Sequence, residues 1–195
     1  MFFRDLKMKR GAMLDVTLVD VRLPVKLGHR DAGRLFAEPL KSRLAALGLG
    51  TIHGVAIRQR ATGEVTSVEM QLGLTDASRD ALRTVANILE VLAAPLGSSI
   101  RVSGGTGKPM LFGRAEGLEV SVGSDDAPDA EARRELAMVC RDAIEEMAVN
   151  RGWTETDGRT RLFFYGEDAH AMKENLSRLL ARHPRFGAAR LRRLA

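Results

Sequence analysis

Arg159–His183 reads Arg-Thr-Arg-Leu-Phe-Phe-Tyr-Gly-Glu-Asp-Ala-His-Ala-Met-Lys-Glu-Asn-Leu-Ser-Arg-Leu-Leu-Ala-Arg-His. At the two-residue period of a strand, Arg161, Phe163 and Tyr165 share one face, and Leu162 and Phe164 take the other. Glu167-Asp168 then places an acid where a helix needs a cap, and Met172, Leu176, Leu179 and Leu180 recur at helical spacing. Pro184 stops that helix, and Ala188 to Leu194 has the length and pattern of a short strand. The same order occurs earlier in the chain. Val65 to Leu74 alternates as a strand, and Thr75-Asp76 supplies a cap. Leu82, Val85, Ala86, Leu89 and Leu92 then give a helical stripe, followed by Pro95, Gly97 and a strand from Ser99 to Val102.

Working outward, each of these units is preceded by a strand and a turn. Thr51 to Arg58 leads into the turn Ala61-Thr62-Gly63-Glu64, and Trp153 to Thr156 into Asp157-Gly158, a strong hairpin signal. Before those strands come helices. Arg30 to Leu47 carries Leu35, Phe36, Leu40, Leu44 and Leu47 on one stripe, and Pro39 must kink that helix or restart it. The acid-rich run Ser124 to Asp129 opens the other, whose buried face is Leu136, Val139, Cys140, Ala143, Ile144 and Met147. Leu14 to Leu23 and Leu118 to Val122 begin the two halves as strands. The alternation slips between Leu18 and Val19, which predicts a bulge or burial of both faces.

Each half therefore runs strand, helix, hairpin, helix, strand. That order is the split βαβ of ferredoxin-like domains. The expected class is α+β, with tandem ferredoxin-like βαββαβ repeats forming antiparallel sheets that carry their helices on one face. The expected organisation is a basic extension over residues 1–12, a first repeat over 13–103, a connection over 104–117 and a second repeat over 118–195. The segment Leu162–Ala169, Leu-Phe-Phe-Tyr-Gly-Glu-Asp-Ala, resembles uncharacterised bacterial proteins built from two ferredoxin-like repeats. Inhibitors and toxin-immunity proteins use comparable small α+β shapes, so the resemblance implies a fold and an interaction role, with no catalytic motif.

Composition narrows the function classes. An apolar fraction of 45% and a charged fraction of 28% are those of a globular chain with an ordinary core. The net charge of +5 is unevenly spread: nine Lys/Arg stand against three acids from Arg159 onward, while Asp125 to Glu146 is rich in acids. A basic surface of this kind suits an acidic partner, protein or nucleic acid. The single cysteine, Cys140, excludes an internal disulfide framework. No run of about 18 apolar residues is present, and charges interrupt every apolar pair of Met1 to Arg10. The expectation is a cytoplasmic protein without a membrane span.

Chemical signatures are thin. Gly104-Gly105-Thr106-Gly107-Lys108 has Val102 and Pro109 where a phosphate loop needs glycine and a hydroxyl, so it reads as a connection. Cys140 lies on a buried stripe. His29, His53, His170 and His183 form no metal-spaced pair, and neither a cofactor nor a catalytic set is expected. His170, Glu174 and Asp168, near one helix start, are the one acid–base grouping.

The candidate binding face is Arg161, Phe163 and Tyr165 with Arg190 and Arg192. So much aromatic surface cannot be left bare on both faces of a strand. Either the second sheet packs on the first repeat, or this face takes a protein, or it stacks on bases as RNA-recognition sheets do. The reading is a non-enzymatic macromolecular interaction protein of inhibitor or immunity type. The alternatives are an RNA or single-strand nucleic-acid binder using the basic C-terminal half, and a small-molecule or enzymatic site between the repeats. Partner identity and oligomeric state are left open.

Overall fold

The computed structural model describes residues 16–194; the expected basic extension at 1–12 lies outside the described residues. The first half opens with β1 (Thr17–Leu23), followed by α1 (His29–Ala32), a π turn (Gly33–Ala37) and α2 (Glu38–Ala46). It continues with β2 (Gly50–Gln59), β3 (Val65–Leu74), α3 (Arg79–Val91), β4 (Ser98–Val102) and β5 (Met110–Phe112). The second half comprises β6 (Glu116–Gly123), α4 (Ala130–Ile144), β7 (Ala148–Thr156), β8 (Arg159–Gly166), α5 (Ala169–Leu180) and β9 (Arg190–Leu194). The sheets are ordered β2-β3-β1-β4-β5 and β7-β8-β6-β9, and every ladder within them is antiparallel. Leaving out β5, the two orders are the same, and each is the ferredoxin-like arrangement in an α+β chain.

Several details differ from expectation. The 103–109 turn is followed by β5, which pairs with β4, so the first sheet reaches into the stretch read as a connection. β1 carries no bulge: Thr17 to Leu23 pairs with Leu74 to Val68 without a shift. Leu18 simply faces outward while Val19 is buried, so the apparent slip is an exposed leucine. Pro39 marks a restart, as one of its two expected effects: α2 begins at Glu38, directly after the π turn, and Pro39 sits in its first turn, where a missing amide hydrogen is tolerated. The caps also shift. Ser78 caps α3 by accepting from the Ala81 amide at 3.3 Å, and Asp76 instead accepts from Ser78. Asp129 and Asp168 cap α4 and α5, and those bonds hold both carboxyls below their ordinary value.

The Asp157-Gly158 turn is left-handed at both residues, as a tight hairpin with the native strand twist requires. The helices of each half cover one sheet face and make its core. In the first half Val19, Val21, Leu23, Met70, Leu72 and Ile100 meet Phe36, Leu40, Leu44, Val85 and Leu89. In the second, Leu118, Val120, Val122, Leu162 and Phe164 meet Leu136, Cys140, Met172 and Leu176. Burial raises the Cys140 thiol to about 12, the state of an inert core residue.

Candidate functional site

With helices on one face of each sheet, function must come from the outer faces, the edges and the seam between halves. The outer face of the second sheet carries the sequence-derived set. Phe163 and Tyr165 are only 3% and 2% exposed, and together with Leu194 they belong to the core of the first half. The Lys26 amide donates to Tyr165 Oη at 3.1 Å, and burial pushes that phenol up to about 12. Gly117 lies across the ladder from Tyr165, where an added Cβ would come within 3.0 Å of the Tyr165 ring and 2.8 Å of Leu194. The aromatics are therefore internal to the chain. They cannot stack on bases while the halves stay together.

The charged members of the set are partly engaged. Arg192 donates to Glu119 at 2.6 Å, and Arg161 lies 3.9 Å from the same carboxylate, whose side chain is 7% exposed. That bond raises Arg192 above its ordinary value. Arg190 is exposed. Beside them, at the first half's β2–β3 turn, Glu64 accepts from Lys26 at 2.6 Å and lies 3.3 Å from Arg60. The Lys26 hydrogen bond, with smaller contributions from Arg60 and Arg192, holds the Glu64 carboxyl below its usual range. Arg151 completes the seam. Its guanidinium donates to the Leu92 carbonyl at the end of α3 and lies 5.2 Å over the Phe36 ring. Burial lowers its pKa, and its Nε has no partner among the described residues.

The outer face of the first sheet is different. Reading the ladders across, one row is Ala56, Glu69, Arg22, Ser99 and Leu111, and the next is Gly54, Gln71, Asp20 and Arg101. No described segment covers these rows. Arg58 meets Glu69 at 2.8 Å, and Arg101 lies 3.6 Å from Asp20, which also accepts from Ser103 at 2.8 Å. Arg22 stands exposed in the middle, and Leu111 at the edge is 70% exposed. Asp20, Arg22, Arg58, Glu69, Gln71 and Arg101 line a shallow concavity of about 620 Å³, and Leu111 lies outside it. The sequence reading singled out none of them as a site. The signal was the alternation itself, with Glu69 and Gln71 facing one way on β3.

A second concavity of about 640 Å³ lies in the seam, with Glu90, Glu145, Glu146 and Glu167 on its rim and Val91 at its side. His170 and Glu174 do not line it; they form an exposed pair at 3.4 Å on α5. Asp168 is occupied with capping. The acid–base grouping therefore stands apart from the groove between the halves. Among the described residues no group of three or more His, Cys, Asp or Glu side chains converges to hold a metal, and no helix is long and apolar enough to cross a membrane.

No protein-family model matches the chain, and no curated protein matches it. Among solved structures, the regulatory subunit of aspartate kinase from Thermus flavus is similar at 13% identity and a TM-score of 0.28, covering 85% of this chain and 92% of that one. An unknown protein from Galdieria sulphuraria is similar at 11% identity and a TM-score of 0.29, covering 92% and 96%. Chlorite dismutase from Candidatus Nitrospira defluvii, in complex with imidazole, is similar at 12% and 0.29, covering 90% and 87%. Scores this low carry no argument about what this chain binds.

Proposed function

We propose that the protein is a non-enzymatic interaction module that holds another protein against the outer face of its first sheet. One observation carries this reading: of two sheets with one strand order, the second spends its outer face on the seam, and the first has its own covered by no described segment and patterned with charges. The acids there are already paired, which leaves Arg22 unpaired among the described residues on the same face as the exposed Leu111 and Leu18. A protein offering a carboxylate flanked by apolar side chains matches that pattern. An inhibitor or immunity role is one form of such binding. We also read the recurring strand order as an internal duplication, in which one copy's face became the seam and the other's stayed free.

The experiment is recovery of the tagged protein from its own cells, beside Arg22→Glu. The expected result is a stoichiometric protein partner that is lost in Arg22→Glu at unchanged melting temperature. Hydrogen exchange should show the partner protecting β1, β3 and β4. Repeated recovery of bare protein, or a partner indifferent to Arg22→Glu, would overturn the reading. A nuclease-sensitive, strongly salt-dependent complex would transfer it to nucleic acid.

A further inference from the structure

At the edge of the first half, away from the open sheet face, a groove of about 520 Å³ runs between the start of α3 and the β4–β5 hairpin. Its floor is apolar: Leu82, Val102 and Met110 are half-buried there, and Ile100 lies fully buried beneath them. Its rim is basic, with Arg79 on one side and Lys108 on the other, and no acidic side chain lines it. Arg101 also borders the groove, and its guanidinium lies 3.6 Å from Asp20 in an exposed ion pair. Among the described residues, neither Arg79 nor Lys108 enters an ion pair within 4.0 Å. Gly105 and Gly107 add no side chains to the loop wall, and a Cβ built on Gly107 would meet nothing within 4 Å. The groove is therefore open on its loop side.

An apolar trough flanked by two cations that pair with no described acid discriminates by charge and by tail together. We propose that this groove binds a small amphiphilic anion, its apolar body lying on Leu82, Val102 and Met110 and its carboxylate or phosphate head between Arg79 and Lys108. The tail leaves water by covering half-buried side chains, and the head replaces water around two cations at a protein surface. A neutral molecule of the same length gains the first contribution and loses the second. An inorganic anion does the reverse.

Calorimetric titration of the whole chain with decanoate, decyl phosphate and decanol tests this. At least one of the two anions should bind in the sub-millimolar range, and which one binds identifies the head group. Decanol should bind at least tenfold more weakly. The double variant Arg79→Glu/Lys108→Glu should lose tenfold or more in anion affinity at an unchanged melting temperature, since both side chains are exposed. Amide NMR shifts should concentrate at Leu82, Val102 and Met110. Equal binding of decanol, an anion affinity within twofold in the double variant, or no heat and no shifts at millimolar anion would each overturn the proposal. The decanol comparison needs no variant and holds even if the substitutions disturb the loop.

Discussion

The outer faces of the two sheets occupy equivalent places in the fold and have opposite fates. Both carry a carboxylate on the first strand of the half paired with an arginine on a neighbouring strand, β4 or β9: Asp20 with Arg101 at 3.6 Å, and Glu119 with Arg192 at 2.6 Å. Aligned on that pair, Gln71 of β3 answers Phe163 of β8, and Gly73 answers Tyr165. Two aromatics in place of glutamine and glycine make the second face apolar enough to need cover, and the first half supplies it. Strand order is thus indifferent to which face is hidden. The side chains on the middle strands decide it.

The comparison breaks most readily at the aromatics. Phe163→Ala or Tyr165→Ala should cost about 3–5 kcal/mol in urea unfolding, as expected for an aromatic removed from a packed core. Gln71→Ala, at the aligned position of the bare sheet, should stay within about 0.5 kcal/mol. Similar costs at the two positions would mean that the seam contributes nothing to stability.

The next test sets one carboxylate against the other. Glu119→Gln leaves Arg161 and Arg192 facing an uncharged group in a buried setting, with an expected cost of about 1–3 kcal/mol. Asp20→Asn acts on an exposed pair and should cost less than about 1 kcal/mol.

The acid limb of the stability curve sharpens the picture at the seam. The folded Glu64 carboxyl lies below its ordinary 4.5, so its contribution is present above that value and is lost as pH falls through the lower folded one. Glu64→Gln should flatten that stretch of the curve in urea midpoints measured against pH. An unchanged acid limb would mean that Lys26 does not hold the Glu64 carboxylate in the folded chain. The smallest effect is expected at Arg22→Ala, whose stability should match the parent within about 0.5 kcal/mol while binding of a protein partner falls.

Much of the fold was legible because it is written in short-range patterns. β3 has the bounds that its alternation predicts, and Asp157-Gly158 turns where a left-handed pair is needed. β5 was not legible, because Met110 to Phe112 is three residues beside a glycine-rich turn and is a strand only through its pairing with β4. The start of β7 was missed for a related reason: Ala148 to Gly152 has no clear strand alternation of its own, and only the ladder to β8 makes it extended. Of the candidate face, Phe163 and Tyr165 were visible as an aromatic stripe, and packing of the second sheet on the first repeat was among the outcomes that stripe allowed. Asp20, Arg22 and Arg101 were visible only as ordinary polar positions of half-buried strands.

By itself the sequence determined two α+β halves of one strand order, most of the inward faces of their helices (Leu47 and Leu179 are exposed instead), and an aromatic stripe that had to be hidden, because periodicity and turn chemistry act over a few neighbouring residues. Only the tertiary structure decided that the first half hides that stripe, that Arg151 and Tyr165 join the seam, and that no described segment covers the face around Arg22. Burial of a sheet face is a property of whatever lies against it, and no local pattern along the strand records which distant segment that will be.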